Sequence, residues 1–146
     1  MKNFLLTIVA LLGFATFSSA QCGDELMKQA LSAMGNYQYI KDFDIKLASG
    51  AADGITFSVV LSSRTKYQMN IANGSTNSEN VSIQINDSNG TLVGTNTQNG
   101  KVFNAFIFNC SKTGAYKLKV STPGGSEACA RAVLSLVKQY TASEMP

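Results

Sequence analysis

Residues 81–90, VSIQINDSNG, decide the fold class of this chain. Apolar side chains occupy positions 81, 83 and 85, and polar side chains fill the positions between them until Asn89-Gly90 ends the run. A period of two is typical of a β-strand with one face in a core and the other in water. The Asn-Gly pair tolerates the positive φ angles of a tight hairpin turn. This stretch therefore predicts a strand followed by a turn.

The same pattern recurs through most of the chain. Residues 57–61, 67–71 and 116–120 alternate in the same way, whereas 103–108 and 132–137 are apolar on both faces and are predicted to lie centrally. Asn99-Gly100 and Thr113-Gly114 predict two further tight hairpins. About eight strands with turns every 8–12 residues predict a mainly β protein, an antiparallel jelly-roll-like β-sandwich.

One helix is predicted before the strands. Asp24 and Glu25 lie at its start, Gly35-Asn36 at its end, and apolar residues recur at spacings of three and four between them. Acidic residues favour a helix N-terminus and glycine favours its end. We expect a short amphipathic helix that packs on the sandwich.

The first twenty residues have the features of a signal peptide. Lys2 gives a positive start, residues 4–14 are almost all apolar, and the small residues Ser18 and Ala20 precede a predicted cleavage before Gln21. The apolar run is shorter than the roughly 20 residues of a membrane span. We therefore predict export to the periplasm, the cell surface or the medium. The predicted domains are the signal peptide 1–20, a helical segment 21–36, a sandwich 37–140 and a flexible tail 141–146.

Three stretches carry a family resemblance: YIKDF at 39–43, the strand and turn at 81–90, and residues 108–118, which lead into the G-x-Y-x-L-x-V motif of 114–120. With them the chain resembles secreted jelly-roll modules of the pre-peptidase C-terminal or GOLD-like type, in small exported proteins of Bacteroidota. The resemblance implies a module of a secreted protein. Related modules sometimes bind calcium through loop carboxylates, so Asp87 and Asp53 are the first candidates for such a site.

Composition excludes several functions. The 146 residues include no His, which rules out Ser-His-Asp and Cys-His nucleophile pairs and His-ligated zinc or haem. Twelve basic against nine acidic side chains give too small a charge for a nucleic-acid binder. We expect no catalytic residue, no cofactor and no enzymatic activity.

Three cysteines in an exported chain allow one disulfide and one free thiol. Strand parity directs Cys110 into the core and Cys129 away from it. A helix packed on the sandwich brings Cys22 towards Cys129, so the Cys22–Cys129 pair is favoured. The Cys110–Cys129 pair is the alternative.

Two further groups bear on function. Asp42 and Asp44 share one face of a predicted strand, where a carboxylate pair suits acid–base catalysis, although a solvent-facing row with Lys46 is the favoured interpretation. Tyr37 and Tyr39 are expected to pack under the helix, and Tyr67 and Tyr116 to point inward, which leaves few rings for stacking on a sugar.

The sequence favours a secreted, non-enzymatic binding or structural module of unknown ligand. A carbohydrate-binding module is the alternative, and a carboxylate-dependent hydrolase is less favoured. The expected partner is an extracellular glycan or protein, with no nucleic acid and no membrane span.

Overall fold

Two four-stranded antiparallel sheets face each other and carry one helix on an outer face. The computed structural model describes residues 23–74 and 80–144. Within those ranges the elements are α1 (Asp24–Met34), β1 (Gln38–Leu47), β2 (Ile55–Leu61), β3 (Thr65–Asn73), β4 (Ser82–Asn86), β5 (Leu92–Thr95), β6 (Thr97–Gln98), β7 (Lys101–Val102), β8 (Ala105–Cys110), β9 (Gly114–Ser121) and β10 (Ala128–Gln139).

The strand order is that of a jelly roll. One sheet has the order β1-β10-β3-β8 and is called the helix-side sheet, because α1 packs on it. The other has the order β2-β9-β4-β5 and is called the open sheet. Every pair within them is antiparallel. The predicted fold class, an antiparallel β-sandwich of about eight strands with one helix, is confirmed.

The core lies between the sheets and is built from the apolar positions of the period-two pattern. Ile45, Met69 and Leu134 of the helix-side sheet are buried against Ile83 and Leu118 of the open sheet. Each such side chain contributes about 1.5–3 kcal/mol when it leaves water. The alternation seen in the sequence therefore sets which face of each strand enters the core.

The two runs that are apolar on both faces differ in position. β10 lies between β1 and β3 and is buried on both sides, with Leu134 in the core and Val133 against α1. β8 is an edge strand, and Ile107 on its outer face is 52% exposed. The expectation of a central position is right for 132–137 and wrong for 103–108, since β8 is at the edge of its sheet. The helix α1 packs on β10 and β3, so the outer face of β8 lies outside the surface that it covers.

The predicted turns also differ. Asn99-Gly100 joins β6 to β7 with φ angles of 51° and 74°, as a two-residue hairpin of positive φ requires. Asn89-Gly90 lies in a longer loop in which only the glycine has positive φ, so the expected two-residue turn is wrong there. Thr113-Gly114 is not in a hairpin, because β8 pairs with β3 while β9 belongs to the open sheet.

The crossing from β8 to β9 is fixed by polar contacts at one end of the sandwich. The hydroxyl of Tyr116 donates to the carbonyl of Lys112 at 2.6 Å. The backbone N–H of Ser63, in the crossing from β2 to β3, donates to Thr113 Oγ1 at 2.8 Å. These contacts hold the two crossings together.

Asn96, between β5 and β6, is a buried polar side chain whose amide oxygen and nitrogen both have hydrogen-bond partners. Its Oδ1 accepts from the N–H of Ile83 at 2.7 Å, and its Nδ2 donates to the carbonyls of Val81 and Phe103, both at 2.9 Å. It thereby ties β4 to the segment that precedes β8. No feature of the sequence pattern distinguishes this asparagine from its many neighbours of the same type.

Replacing Asn96 by Asp should destabilise the fold by about 3 kcal/mol or more, because an oxygen would face two buried carbonyls that now accept hydrogen bonds. Chemical denaturation measures the loss. Asn109→Asp, at an exposed position on β8, is the control and should change the free energy of unfolding by less than about 0.5 kcal/mol. Equal losses in both variants would contradict the role given to Asn96.

Tyr116 should make stability fall at high pH. Burial and then the hydrogen bond with Cys110 raise the pKa of Tyr116 to about 12, from a usual value of 10.0. Because the unfolded chain loses this proton first, the free energy of unfolding should decline as pH rises from about 10 to about 12. Denaturation at a series of pH values tests this. The Tyr116→Phe variant should show a shallower decline, and an unchanged slope would refute the assignment.

Candidate functional site

A groove runs beside α1 on the outer face of the helix-side sheet. It encloses about 450 Å³. We call it the amide groove, and it is lined by Gln29, Ala33, Gln68, Asn70, Ile71, Ala72, Asn73, Asn80, Asn104 and Ala105.

The strand register places these side chains together. Asn70 of β3 lies opposite Val133 of β10 on one side and Ala105 of β8 on the other. Val133 packs with Leu26 and Ala30 of α1, whereas β8 lies beyond the two strands on which α1 packs. The outward residues of β3 therefore form the floor of a channel between the helix and the edge strand.

The floor holds an unpaired buried donor. Gln68 Nε2 donates to Asn70 Oδ1 at 2.5 Å, which orients the amide of Asn70. Asn70 is 0% exposed, and its Nδ2 has no hydrogen-bond partner among the described residues. Buried polar atoms without partners are rare in native proteins, so this one calls for an explanation.

The end of the groove is built from amides that are already paired. Asn73 Nδ2 donates to Asn104 Oδ1 at 3.0 Å, and Asn73 Oδ1 accepts from the N–H of Val81 at 3.0 Å. No ionisable side chain is among the described residues that line the groove. The site therefore suits a neutral ligand that forms hydrogen bonds, and it lacks groups for acid–base chemistry.

Asp42 and Asp44 lie elsewhere on the helix-side sheet and are engaged by cations. Arg131 Nη1 is 3.5 Å from Asp42 Oδ2, and Arg131 Nε is 3.5 Å from Asp44 Oδ1. Lys46 Nζ is 3.2 Å from Asp44 Oδ2. Tyr39 donates its hydroxyl proton to Asp42 Oδ1 at 2.5 Å, a bond that raises the pKa of Tyr39. The predicted solvent-facing row with Lys46 is confirmed.

The two calcium candidates lie apart. Asp53 lies just before Ile55, which pairs with Val120 near the end of β9. Asp87 lies just after Asn86, which pairs with Lys117 near the start of β9. The two carboxylates are therefore at opposite ends of β9. No group of three or more acidic or cysteine residues converges within the described ranges.

Asp87 mainly stabilises its own loop. Its Oδ1 accepts from the N–H groups of Asn89 at 2.9 Å and Thr91 at 2.8 Å, as in the expected Asx-type turn. The hollow beside it, of about 630 Å³, is also lined by Lys117 and Lys119, whose charges oppose a cation. Calcium binding stays a prediction.

The cysteines follow the predicted parity. Cys110 is a buried free thiol, which excludes the alternative Cys110–Cys129 pair. Cys129 faces α1 and takes part in a disulfide. Cys22 and the cleavage residues Ala20 and Gln21 lie outside the described residues, so the Cys22–Cys129 pair and the signal peptide stay predictions.

The tyrosines separate into two groups. Tyr67 and Tyr116 are buried in the core as predicted. Tyr37 and Tyr39 are 40% and 43% exposed, so the expectation that they pack under the helix is wrong. Neither lines the amide groove.

The amide groove was not predicted from the sequence. The sequence feature that could have indicated the groove is the pair Gln68 and Asn70, two uncharged amides at successive outward positions of one strand. Gln29 and Asn104 are far from that pair along the chain, and only the packing of α1 and β8 brings them near.

Comparisons with known proteins leave the family open. No family model and no curated protein matches the chain. Among solved structures it is similar to PliG of Aeromonas hydrophila, a periplasmic inhibitor of g-type lysozyme, with 11% identity and a TM-score of 0.48 over 70% of this chain and 89% of that one. Within the described ranges no helix has the length and apolarity of a membrane span. The pre-peptidase C-terminal or GOLD-like resemblance stays a prediction.

Asn70→Val should leave the free energy of unfolding unchanged or raise it by up to about 2 kcal/mol, because it removes a buried donor that has no partner. Asn96→Val is the matched control, since both asparagines are fully buried. The control should lose about 3 kcal/mol, because its amide is fully paired. Denaturant titration compares them, and a large loss for Asn70→Val would show that its amide serves the fold.

Proposed function

We propose that the chain is an exported, non-enzymatic binding module that holds an uncharged ligand in the amide groove. The observation that carries this proposal is Asn70 Nδ2, a buried donor without a partner at the floor of the groove. A ligand oxygen at that position would complete its hydrogen bonding and recover the cost of its burial.

Binding is favoured over catalysis by the groups present. The chain has no His, and the amide groove lacks ionisable side chains among its described lining residues. The carboxylates considered for a hydrolase, Asp42 and Asp44, form ion pairs with Arg131 and are not among the residues that line the groove. These features support a module that recognises a molecule without transforming it.

Export is supported by residues 1–20, whose charge and apolar pattern is that of a signal peptide. The disulfide at Cys129 fits an oxidising compartment. The jelly-roll strand order supports, at the level of the fold, the proposed relation to pre-peptidase C-terminal or GOLD-like modules.

NMR on the isotope-labelled protein, purified after export, tests the function. Neutral saccharides, capped dipeptides and anionic sugars are added as three separate panels. At least one panel should shift the side-chain amide signals of Gln29, Gln68 and Asn70. The exposed amides of Gln98 and Asn109 are internal controls and should not move.

Two results would contradict the proposal. The first is that no panel shifts the signals of the groove. The second is robust turnover on a broad hydrolase panel that Asp42→Asn abolishes, since that outcome would make the chain a carboxylate-dependent enzyme.

A further inference from the structure

We infer that the ligand of the amide groove is a neutral saccharide of one or two rings, held through its hydroxyl groups. This inference rests on the proposed function and adds the chemical class of the ligand. It is independent of the exposed tyrosines, which lie outside the groove.

The orientation of Asn70 determines what the ligand presents. Because Gln68 Nε2 donates to Asn70 Oδ1, the free group at the floor is the Nδ2 donor. The ligand must therefore offer an acceptor oxygen, which hydroxyls, carbonyls, carboxylates and phosphates all carry.

The charge of the groove removes the anionic classes. No Lys or Arg is among the described lining residues, so a carboxylate or phosphate would lose water without gaining a counter-charge. Lys112, Lys117 and Lys119 line other hollows, and they lie on β9 of the open sheet or in the crossing that leads to it.

The shape of the groove disfavours a peptide. Strand addition, a common mode of peptide binding, needs a free sheet edge, whereas the floor here is the face of β3, an inner strand. The apolar lining is Ala33, Ile71, Ala72 and Ala105, which offers no deep pocket for a large side chain.

Sugar hydroxyls fit the neutral, hydrogen-bonding side chains that line the groove. Each hydroxyl donates and accepts, as does each amide of Gln29, Gln68 and Asn104, so both partners can be satisfied without charge. The volume of about 450 Å³ lies within the range of small-molecule sites. The small side chains of Ala33 and Ala105 leave space for the ring between the helix and β8.

The test is a titration of neutral mono- and disaccharides, followed by the amide signals of the groove. Ala33→Trp fills the groove and should weaken the tightest saccharide at least tenfold. Ser32→Trp is the matched control at the adjacent exposed position of α1 and should stay within twofold. Asn70→Val should also weaken binding at least tenfold, and the uronic acid form of the same sugar should bind at least tenfold more weakly.

The outcomes separate the inference from the proposed function. If peptides shift the groove signals and saccharides do not, the ligand class is wrong and the binding function stands. If no panel shifts them, the proposed function itself fails. If a saccharide binds but Ala33→Trp and Ser32→Trp weaken it equally, the sugar site lies elsewhere and the inference is overturned.

Discussion

The burial of β10 on both faces is the constraint on which the rest of the structure depends. Leu134 on its inner face enters the core between the sheets, and Val133 on its outer face packs against Leu26 and Ala30 of α1. An apolar outer face on a central strand would cost free energy in water, so the helix is needed as a third layer. The position of α1 follows from this requirement.

The amide groove is a consequence of how that third layer is placed. One helix has a width of about 10 Å, which is roughly two strands of a sheet. It packs on β10 and β3, and β8 lies beyond it, so β3 is at the margin of the surface on which the helix packs. The outward positions there are Gln68 and Asn70, which are polar, where β10 has Val133. A channel with an apolar wall and an amide floor results.

Buried amides in this protein serve two different purposes. Asn96 has a partner for each of its polar groups and joins β4 to the segment before β8. Asn70 is equally buried and leaves one donor unpaired. A protein retains such a cost most readily where a ligand recovers it, since functional sites are where local rules of stability are broken.

Alternation of apolar and polar residues was sufficient to predict the sandwich, the face of each strand that enters the core and the parity of Cys110 and Cys129, and apolar spacings of three and four predicted one short helix between Asp24 and Gly35. These properties are local, because they follow from the geometry of a single strand or helix. The order of the strands, the edge position of β8, the crossing at Thr113-Gly114 and the meeting of Gln29 with Asn70 were decided only by the tertiary structure. The reason is physical: these features depend on which surfaces pack together across long stretches of chain, and a period of two gives the same pattern whichever strand becomes the neighbour.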